Sequence, residues 1–140
     1  MIVLVVTLGL SQPVPAGEGG RIVVHVTGLK SQKGKVIVAL SKPGGIWPPM
    51  EEEEAFKGVE AGIKDHQARA AFEDLTWGEY ALAAFHDENN NDRLDRNALG
   101  IPREDYGFSN NVRGFLGPPD FGKAKVSLDS RELVLEIKLN

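Results

Sequence analysis

Apolar and polar side chains alternate along much of this chain, and that alternation restricts the possible folds more than any other feature. Ile22, Val24 and Val26 are separated by single residues, and polar Arg21 and His25 stand among them. Residues two positions apart share one face of a β-strand, so this segment predicts a strand with one apolar face. Similar short apolar or alternating patterns recur at 36–40, 68–72, 80–85, 124–128 and 133–139. The chain is therefore predicted to contain at least six short strands.

Short turn-forming segments separate several of these strands. Lys33-Gly34 precedes the second strand and is typical of a hairpin turn. Residues 75–78 form a second short turn, which ends in glycine. Short strands with polar outer faces and turns of this kind favour an all-β, antiparallel sandwich. The segment 48–65 is less clear, because its acidic residues 51–54 favour the start of a short helix while a solvated loop is the alternative.

The N-terminal residues carry the pattern of an export signal. Residues 1–10 are almost wholly apolar, and residues 11–16 then break the run with small and turn-forming side chains. An apolar run this short cannot span a bilayer, which needs about 20 residues. We predict a signal peptide at 1–16, a single domain at 17–140, and a periplasmic or secreted protein that does not span the membrane. No Lys or Arg precedes the apolar run, so a buried first strand is the alternative.

The composition excludes several classes of protein. The chain has no cysteine, which rules out disulfides, thiol catalysis, covalent c-type haem and a lipidated N-terminal Cys. The 16 Lys and Arg against 20 Asp and Glu give a net charge of -4, and there is no basic stripe to meet phosphates. We therefore expect no nucleic-acid partner. The expected partner is an unidentified ligand or an envelope protein.

An Asp/Asn-rich segment follows the apolar run at 80–85. Its oxygen-bearing groups stand at relative positions 1, 3, 5, 7 and 9, and these are Asp87, Asn89, Asn91, the backbone carbonyl of Arg93, and Asp95. This is the ligand spacing of a calcium loop. The same pattern requires Gly at position 6 and a bidentate Glu at position 12, where this chain has Asp92 and Ala98.

Two explanations of this segment stay open. The first is weak calcium binding, with a Kd of about 0.1 to 1 mM, in which Glu88, Glu104 or Asp105 folds back to replace the missing Glu. The second is a set of Asx-turns, in which the same side chains accept hydrogen bonds from nearby backbone N–H groups and order the loop without metal.

The segment 87–122 has no clear period and is rich in Gly, Pro, Asn and Asp. A loop of this length inside a small domain is uncommon and is usually functional. Its apolar side chains are predicted to anchor it to one end of the sandwich as an ordered loop, and they are Leu99, Ile101, Tyr106, Phe108, Phe115, Leu116 and Phe121.

Several unusual motifs occur in a characteristic order after residue 78. They include Gly78-Glu79-Tyr80, His86-Asp87-Glu88-Asn89, Leu94-Asp95, Leu99-Gly100-Ile101-Pro102, Tyr106-Gly107-Phe108-Ser109-Asn110-Asn111 and Gly117-Pro118-Pro119. Together they resemble the bacterial domain-of-unknown-function family 2141. This resemblance implies a small secreted or periplasmic protein and carries no established activity. Where that family usually has Asn-Gly, this chain has Asn91-Asp92, which weakens the turn and the calcium interpretation together.

A second resemblance concerns the fold. Residues 75–81 are similar to the corresponding segment of transthyretin-like and carboxypeptidase-regulatory-like domains. The resemblance implies an immunoglobulin-like or transthyretin-like sandwich of about seven strands with one long ordered loop. It says little about function, because one fold carries many functions.

The first predicted function is a binding or accessory module of the envelope, because sandwich proteins commonly bind through their loops. The residues predicted to face its ligand are Tyr106, Phe108, Asn110 and Asn111.

Two other functions are the alternatives. One is a metal-assisted hydrolase that uses His86 and Asp87 together with the pair Asp65-His66. Adjacent strand residues point to opposite faces, and there is no nucleophile elbow or phosphate loop, so we expect a protein that is not an enzyme. The other is a structural envelope subunit that packs by strand addition along an exposed edge.

Overall fold

Two β-sheets form the framework of the residues that the computed structural model describes, which are 19–114 and 117–140. The three-stranded sheet contains β1 (Gly20–Thr27), β4 (Ala68–Leu75) and β8 (Glu132–Lys138), with β1 in the centre. The five-stranded sheet contains β2 (Lys35–Ser41), β3 (Lys57–Ala61), β5 (Gly78–Asp87), β6 (Tyr106–Phe108) and β7 (Val126–Leu128). Its order is β3-β2-β5-β6, and β7 also pairs with β5. Short helical turns at Glu52–Glu54, Ser109–Asn111 and Phe121–Ala124 lie in the connections.

The predicted all-β sandwich is confirmed, with one parallel strand pair. β1 is antiparallel to β4 and parallel to β8. The three-residue strands β6 and β7 follow one another along β5, and the Ser109 hydroxyl lies between them. This hydroxyl accepts a hydrogen bond from the Leu82 N–H at 3.0 Å and donates one to the Ala124 carbonyl at 2.6 Å. β6 and β7 together occupy one strand position beside β5. The eight strands therefore fill seven strand positions, as expected for the predicted sandwich of about seven strands.

The prediction of a hairpin at Lys33-Gly34 is wrong, because β1 and β2 lie in different sheets. β1 already has β4 on one edge and β8 on the other, so the chain crosses to the other sheet before β2 begins. Gly34 adopts a φ of 69° beside the end of β5, and a Cβ there would collide with the carbonyl oxygen of Asp87. The glycine therefore permits a close approach between two backbones, and it does not mark a strand pair.

The main core lies between the two sheets. On β8, Ile137 is fully buried, while Leu133 and Leu135 pack half-buried against the same core, as the alternation predicts. Tyr80 fills the core from β5 and donates its hydroxyl to the Thr76 carbonyl at 2.6 Å. A tyrosine that reaches back to the backbone in this way is common in immunoglobulin-like sandwiches.

A second apolar layer covers the outer face of the five-stranded sheet. Ile37 and Phe85 on that face are buried together with Leu94, and Met50 and Tyr106 pack against them. β2 and β5 are therefore buried on both faces, which explains why their sequences are nearly continuous apolar runs. We call the segments that form this cover, residues 42–56, 88–114 and 117–122, the loop layer.

Two of the predicted anchors of the long segment are wrong. Leu99 is 84% exposed and Ile101 is 55% exposed, because both lie at the end of a short hairpin that projects from the loop layer. Phe108 is buried, as predicted, and Leu94 is a buried anchor that was not predicted. Phe115 and Leu116 lie outside the described residues, as does the predicted signal peptide at 1–16.

The assignment of the core face of β8 can be tested by a pair of substitutions. Ile137→Ala should lower the free energy of unfolding by about 2 to 5 kcal/mol, because it removes fully buried carbon atoms. Val134→Thr is the matched control on the same strand, since Val134 is 54% exposed, and it should change stability by less than about 0.5 kcal/mol. Urea denaturation followed by circular dichroism measures both. Equal losses would show that the face is assigned wrongly.

Candidate functional site

The chain turns sharply at the end of β5, and the Asp87 carboxylate holds that turn. Asp87 is fully buried, and its oxygens accept hydrogen bonds from the backbone N–H groups of Asn91 at 3.1 Å and Asp92 at 2.9 Å. Asn90 and Asp92 adopt φ values of 57° and 67°. Asn and Asp tolerate this left-handed conformation better than most side chains. The loop sequence therefore suits a turn that closes on a buried acceptor.

Two amide side chains of the same loop converge on one carboxylate. The Nδ2 groups of Asn89 and Asn91 donate to the two oxygens of Asp95. The Oδ1 atom of Asn91 accepts a hydrogen bond from the backbone N–H of Arg93 at 3.2 Å. These contacts bring together three of the predicted calcium ligands, Asn89, Asn91 and Asp95.

Glu104 folds back onto this loop and ties its two ends together. Its buried carboxylate accepts hydrogen bonds from the backbone N–H of Glu88 at 2.8 Å and of Asp95 at 3.1 Å. Burial raises the pKa of Glu104, and the two N–H donors oppose that shift. Both carboxylate oxygens of Glu104 thus accept hydrogen bonds from the backbone.

The loop fits a calcium site in part. The Asp87 carboxylate is turned toward backbone N–H groups, and the Arg93 backbone bridges to Glu51. A rotation of the Asn89 and Asn91 amides by half a turn would present Oδ1 in place of Nδ2 toward Asp95. The loop can therefore offer a partial oxygen cage, in which water would have to supply the missing ligands of a calcium ion.

A second polar cluster lies beside this loop, and no sequence spacing predicts it. The carboxylates of Glu52, Glu60 and Asp92 each place an oxygen within 4.8 Å of the others. The Lys35 ammonium group contacts Asp92, lies 3.0 Å from Glu60 Oε1, and lies 4.0 Å from Asp87 Oδ2. We call Glu52, Glu60 and Asp92 the acidic cluster. The only hint in the sequence is Asp92 itself, which replaces the glycine of the calcium pattern.

The geometry of β3 explains why Glu52 is drawn into this cluster. A Cβ at Gly58 would lie 2.5 Å from Glu52 Cγ, so a glycine is needed for the Glu52 side chain to cross the strand. Desolvation, reinforced by Glu60 and Asp92, raises the pKa of Glu52 to about 7. Hydrogen bonds to Lys35 lower the pKa of Glu60, and the contact with Asp92 raises the pKa of Lys35.

The histidine and aspartate pairs proposed for a hydrolase have backbone roles. His86 is buried, and its Nε2 lies 2.6 Å from the Lys33 carbonyl oxygen. As neighbours on β5, His86 and Asp87 point to opposite faces of the sheet. Asp65 and His66 are exposed and form the tight turn between β3 and β4, with φ values of 55° and 60°. These positions give no shared set of metal ligands.

Aromatic side chains of the loop layer line a groove beside the sandwich. Two adjoining cavities of about 350 and 410 Å³ share part of their walls, formed by Tyr106, Phe108, Gly114, Gly117 and Pro118. We call their combined space the aromatic groove. Phe108 is buried and Tyr106 half-buried, with ring centroids 5.7 Å apart. Trp47 packs on Phe108 at 5.6 Å and donates its Nε1 to the Pro119 carbonyl at 2.8 Å.

The two parts of the aromatic groove differ in chemistry. The smaller cavity also has charged and amide side chains, which are Asn111, Arg113, Glu136 and Lys138. The larger cavity is also lined by the apolar side chains of Met50, Leu94, Ile101 and Pro102, and by Arg96. The groove therefore combines an apolar part with a polar part.

Asn110 and Asn111, which were predicted to face a ligand, both form side-chain hydrogen bonds with backbone groups. The Asn110 Nδ2 donates to the carbonyls of Lys123 at 3.1 Å and Lys125 at 3.0 Å. The Asn111 Oδ1 accepts the Lys138 N–H at 2.9 Å, where a neighbouring strand would otherwise pair with the edge of β8. Asn111 also lines the smaller cavity, as Tyr106 and Phe108 do, whereas Asn110 lines neither of the two.

These features define a β-sandwich protein whose loop layer carries a groove and two polar clusters. Residues 24–135 match the family described as "Uncharacterized protein conserved in bacteria (DUF2141)". The chain therefore belongs to this bacterial family, and the resemblance drawn from its motifs is confirmed. Searches of curated proteins and of solved structures found no match. In the described part of the chain, no helix has the length and apolar character needed to cross a membrane.

The raised pKa of Glu52 predicts a pH-dependent stability. Unfolding returns this carboxyl to an ordinary pKa of 4.5, so the folded state retains a proton that the unfolded chain releases between about pH 4.5 and 7. Stability should therefore fall as the pH rises through this window and then level off. Glu52→Gln should remove this contribution, which is on the order of 1 kcal/mol for a partly exposed group.

Urea denaturation at about pH 5 and at about pH 7.5 measures this effect. Glu53→Gln is the matched control, because Glu53 is the exposed neighbour and lies outside the acidic cluster. An identical pH dependence in wild type and Glu52→Gln would contradict the assigned role of Glu52.

Proposed function

We propose that this protein is a periplasmic or secreted binding module whose ligand occupies the aromatic groove. The observation that carries this proposal is the pair of cavities that share Tyr106 and Phe108. Ligand sites in proteins are typically concave, mostly apolar, and supplied with a few placed polar groups. The aromatic groove combines these properties on one side of the sandwich.

The fixed position of the groove wall supports a binding role. Tyr106 and Phe108 belong to β6 and pair with Phe85 and Ala83 of β5. Tyr106 also exchanges backbone hydrogen bonds with Asn140, at 3.5 and 3.2 Å, so β6 is tied to the chain beyond β8 as well. A wall that is held from both sides loses little conformational entropy when a ligand binds.

The lining side chains indicate the chemistry of the ligand. The larger, mainly apolar cavity accepts an aliphatic or aromatic group, because moving such a group out of water lowers the free energy. In the polar cavity, the cationic side chains of Arg113 and Lys138 can pair with an anionic group of the ligand. We therefore propose a ligand with an apolar body and an anionic end.

The same geometry supports binding over the two alternatives. His86 and Asp87 are engaged by backbone groups on opposite faces of β5, which gives a hydrolase no common site. Strand addition needs an edge strand, and β3, β4 and β8 lie at edges of the two sheets; at β8, Asn111 already bonds to the Lys138 N–H. That side chain shortens the edge available to a partner strand.

Anilinonaphthalene sulfonate is a suitable first probe, because it joins an aromatic body to an anionic group. We expect saturable fluorescence enhancement by the folded protein, and Tyr106→Ala should weaken binding about tenfold through lost apolar contact. Phe56→Ala is the matched control, since Phe56 is an exposed aromatic residue outside the groove. It should leave the affinity unchanged. Non-saturable enhancement, or equal effects of the two substitutions, would argue against the groove as the binding site.

Calcium binding by the Asp/Asn-rich loop is a second candidate function. The observation that favours it is the convergence of Asn89 and Asn91 on the Asp95 carboxylate. The Lys35 ammonium group opposes it, because a positive charge 4.0 Å from Asp87 Oδ2 repels a cation. This candidate therefore predicts a weak site, within the range of extracellular calcium modules.

A melting experiment separates the two explanations of the loop. Calcium binding should stabilise the native protein by about 1.4 kcal/mol at ten times Kd, and Asp95→Ala should remove that increment. Asp87→Ala should destabilise the protein by about 1 to 3 kcal/mol even in chelator, because it removes the buried acceptor of the Asn91 and Asp92 N–H groups. Equal melting temperatures of the wild type in chelator and in about 10 mM calcium, well above the expected Kd, would exclude the calcium site.

A further inference from the structure

Two strongly exposed aliphatic side chains stand together at one protrusion of the loop layer. Leu99 is 84% exposed and Ile101 is 55% exposed. They lie in a short hairpin formed by residues 95–103, which we call the tip hairpin. Apolar side chains that cluster on a protrusion and have polar neighbours commonly mark a contact surface.

Hydrogen bonds fix the conformation of the tip hairpin. The Asn97 N–H donates to the Ile101 carbonyl and the Gly100 N–H to the Asn97 carbonyl, both at 2.9 Å. The Asn97 side-chain oxygen accepts the N–H groups of Leu99 at 2.9 Å and Ile101 at 3.1 Å. Gly100 has a φ of 81° and supplies the left-handed residue that a three-residue hairpin loop needs. Leu99 and Ile101 are therefore displayed by a defined turn.

Arg96 and Arg103 lie in the stem of this turn, Arg93 shortly precedes it in the chain, and all three residues are exposed. Arg96 pairs with Pro102, and the Arg103 N–H donates to the Asp95 carbonyl at 2.7 Å. Arg96 lies opposite Pro102, and Arg103 occupies the next position along the hairpin stem. The Arg96 and Arg103 side chains therefore point to opposite faces of the stem. Within the described ranges, none of the three arginines has a carboxylate within 4.0 Å.

The nearby acidic side chains are directed elsewhere. Glu104 accepts two backbone N–H groups, and Asp95 accepts the amides of Asn89 and Asn91. These carboxylates keep their negative charge, but their oxygens are engaged by N–H donors, whereas the three guanidinium groups have no carboxylate within 4.0 Å in the described ranges. The tip hairpin therefore presents aliphatic groups at its end and guanidinium groups that can contact a phosphate at its base.

We propose that the tip hairpin docks on the surface of a membrane that contains anionic phospholipid. Leu99 and Ile101 enter the boundary between headgroups and acyl chains, and Arg93, Arg96 and Arg103 contact lipid phosphates. Two aliphatic side chains offer much less area than the roughly 800 Å² per partner of a stable protein interface. The same small apolar area, combined with several positive charges, suits weak and reversible attachment to lipid.

Sedimentation with vesicles tests the proposal on the full chain. We expect binding to vesicles of phosphatidylglycerol mixed with phosphatidylcholine, and much weaker binding to phosphatidylcholine alone. Leu99→Ser should weaken binding about tenfold, and Arg103→Gln, a substitution outside the groove, about fivefold with a smaller dependence on salt. Val134→Ser is the matched control, since Val134 is exposed on the three-stranded sheet, and it should bind as the wild type does.

The variants share the same residues 1–16, so any lipid contact of that segment contributes equally to all of them. Melting temperatures of the variants identify any loss of folding. No preference for anionic vesicles, or equal binding by Leu99→Ser and Val134→Ser, would overturn the proposal. So would a wild-type dimer that Leu99→Ser converts to a monomer without any lipid binding, because the tip would then be a protein interface.

Discussion

The pairing of β2 with β5 is the contact on which the rest of this structure depends. Its register runs from Lys35 opposite Asp87 to Ser41 opposite Ala81, and both strands are buried on both faces. Successive side chains of a strand point to opposite faces, so a pair buried on both faces needs a cover on each side. The three-stranded sheet supplies one cover and the loop layer supplies the other. The loop layer is therefore part of the folded core.

The end of this register explains the polar features of the loop layer. The Asp87 carboxylate is fully buried, and a buried charge is tolerated only when it has hydrogen-bond donors. The following loop folds back so that its backbone N–H groups supply these donors. On the opposite strand, Lys35 gathers Asp92 and Glu60 around its ammonium group. One charged position at the end of two strands thus organises both the Asp/Asn-rich loop and the acidic cluster.

The strands that are predicted best from the sequence are those with one face exposed to solvent. β1 and β8 show alternation because each has a polar outer face, whereas the three-residue strand β6 gains its conformation from pairing with β5. Leu99 was predicted to be an anchor because large aliphatic residues are usually buried, and its place on a projecting hairpin depends on long-range contacts. The calcium spacing identified side chains that do converge. The partners of those side chains, and the acidic cluster, depend on strand pairing between distant segments, which local patterns do not encode.

The loop layer covers the core and also carries two proposed contact sites, the aromatic groove and the tip hairpin. Substitutions in these two sites have different consequences for stability. Tyr106 lines the aromatic groove and also packs on the second apolar cluster, so a substitution there changes binding and stability together. Leu99 is mostly exposed, and the arginines at the base of the tip hairpin are exposed as well. Exposed positions without buried partners usually change stability by less than about 0.5 kcal/mol. Substitutions of Leu99 or Arg103, which do not line the groove, therefore report on the contacts of the tip hairpin with other molecules, whereas those in the groove have to be corrected for their effect on the fold.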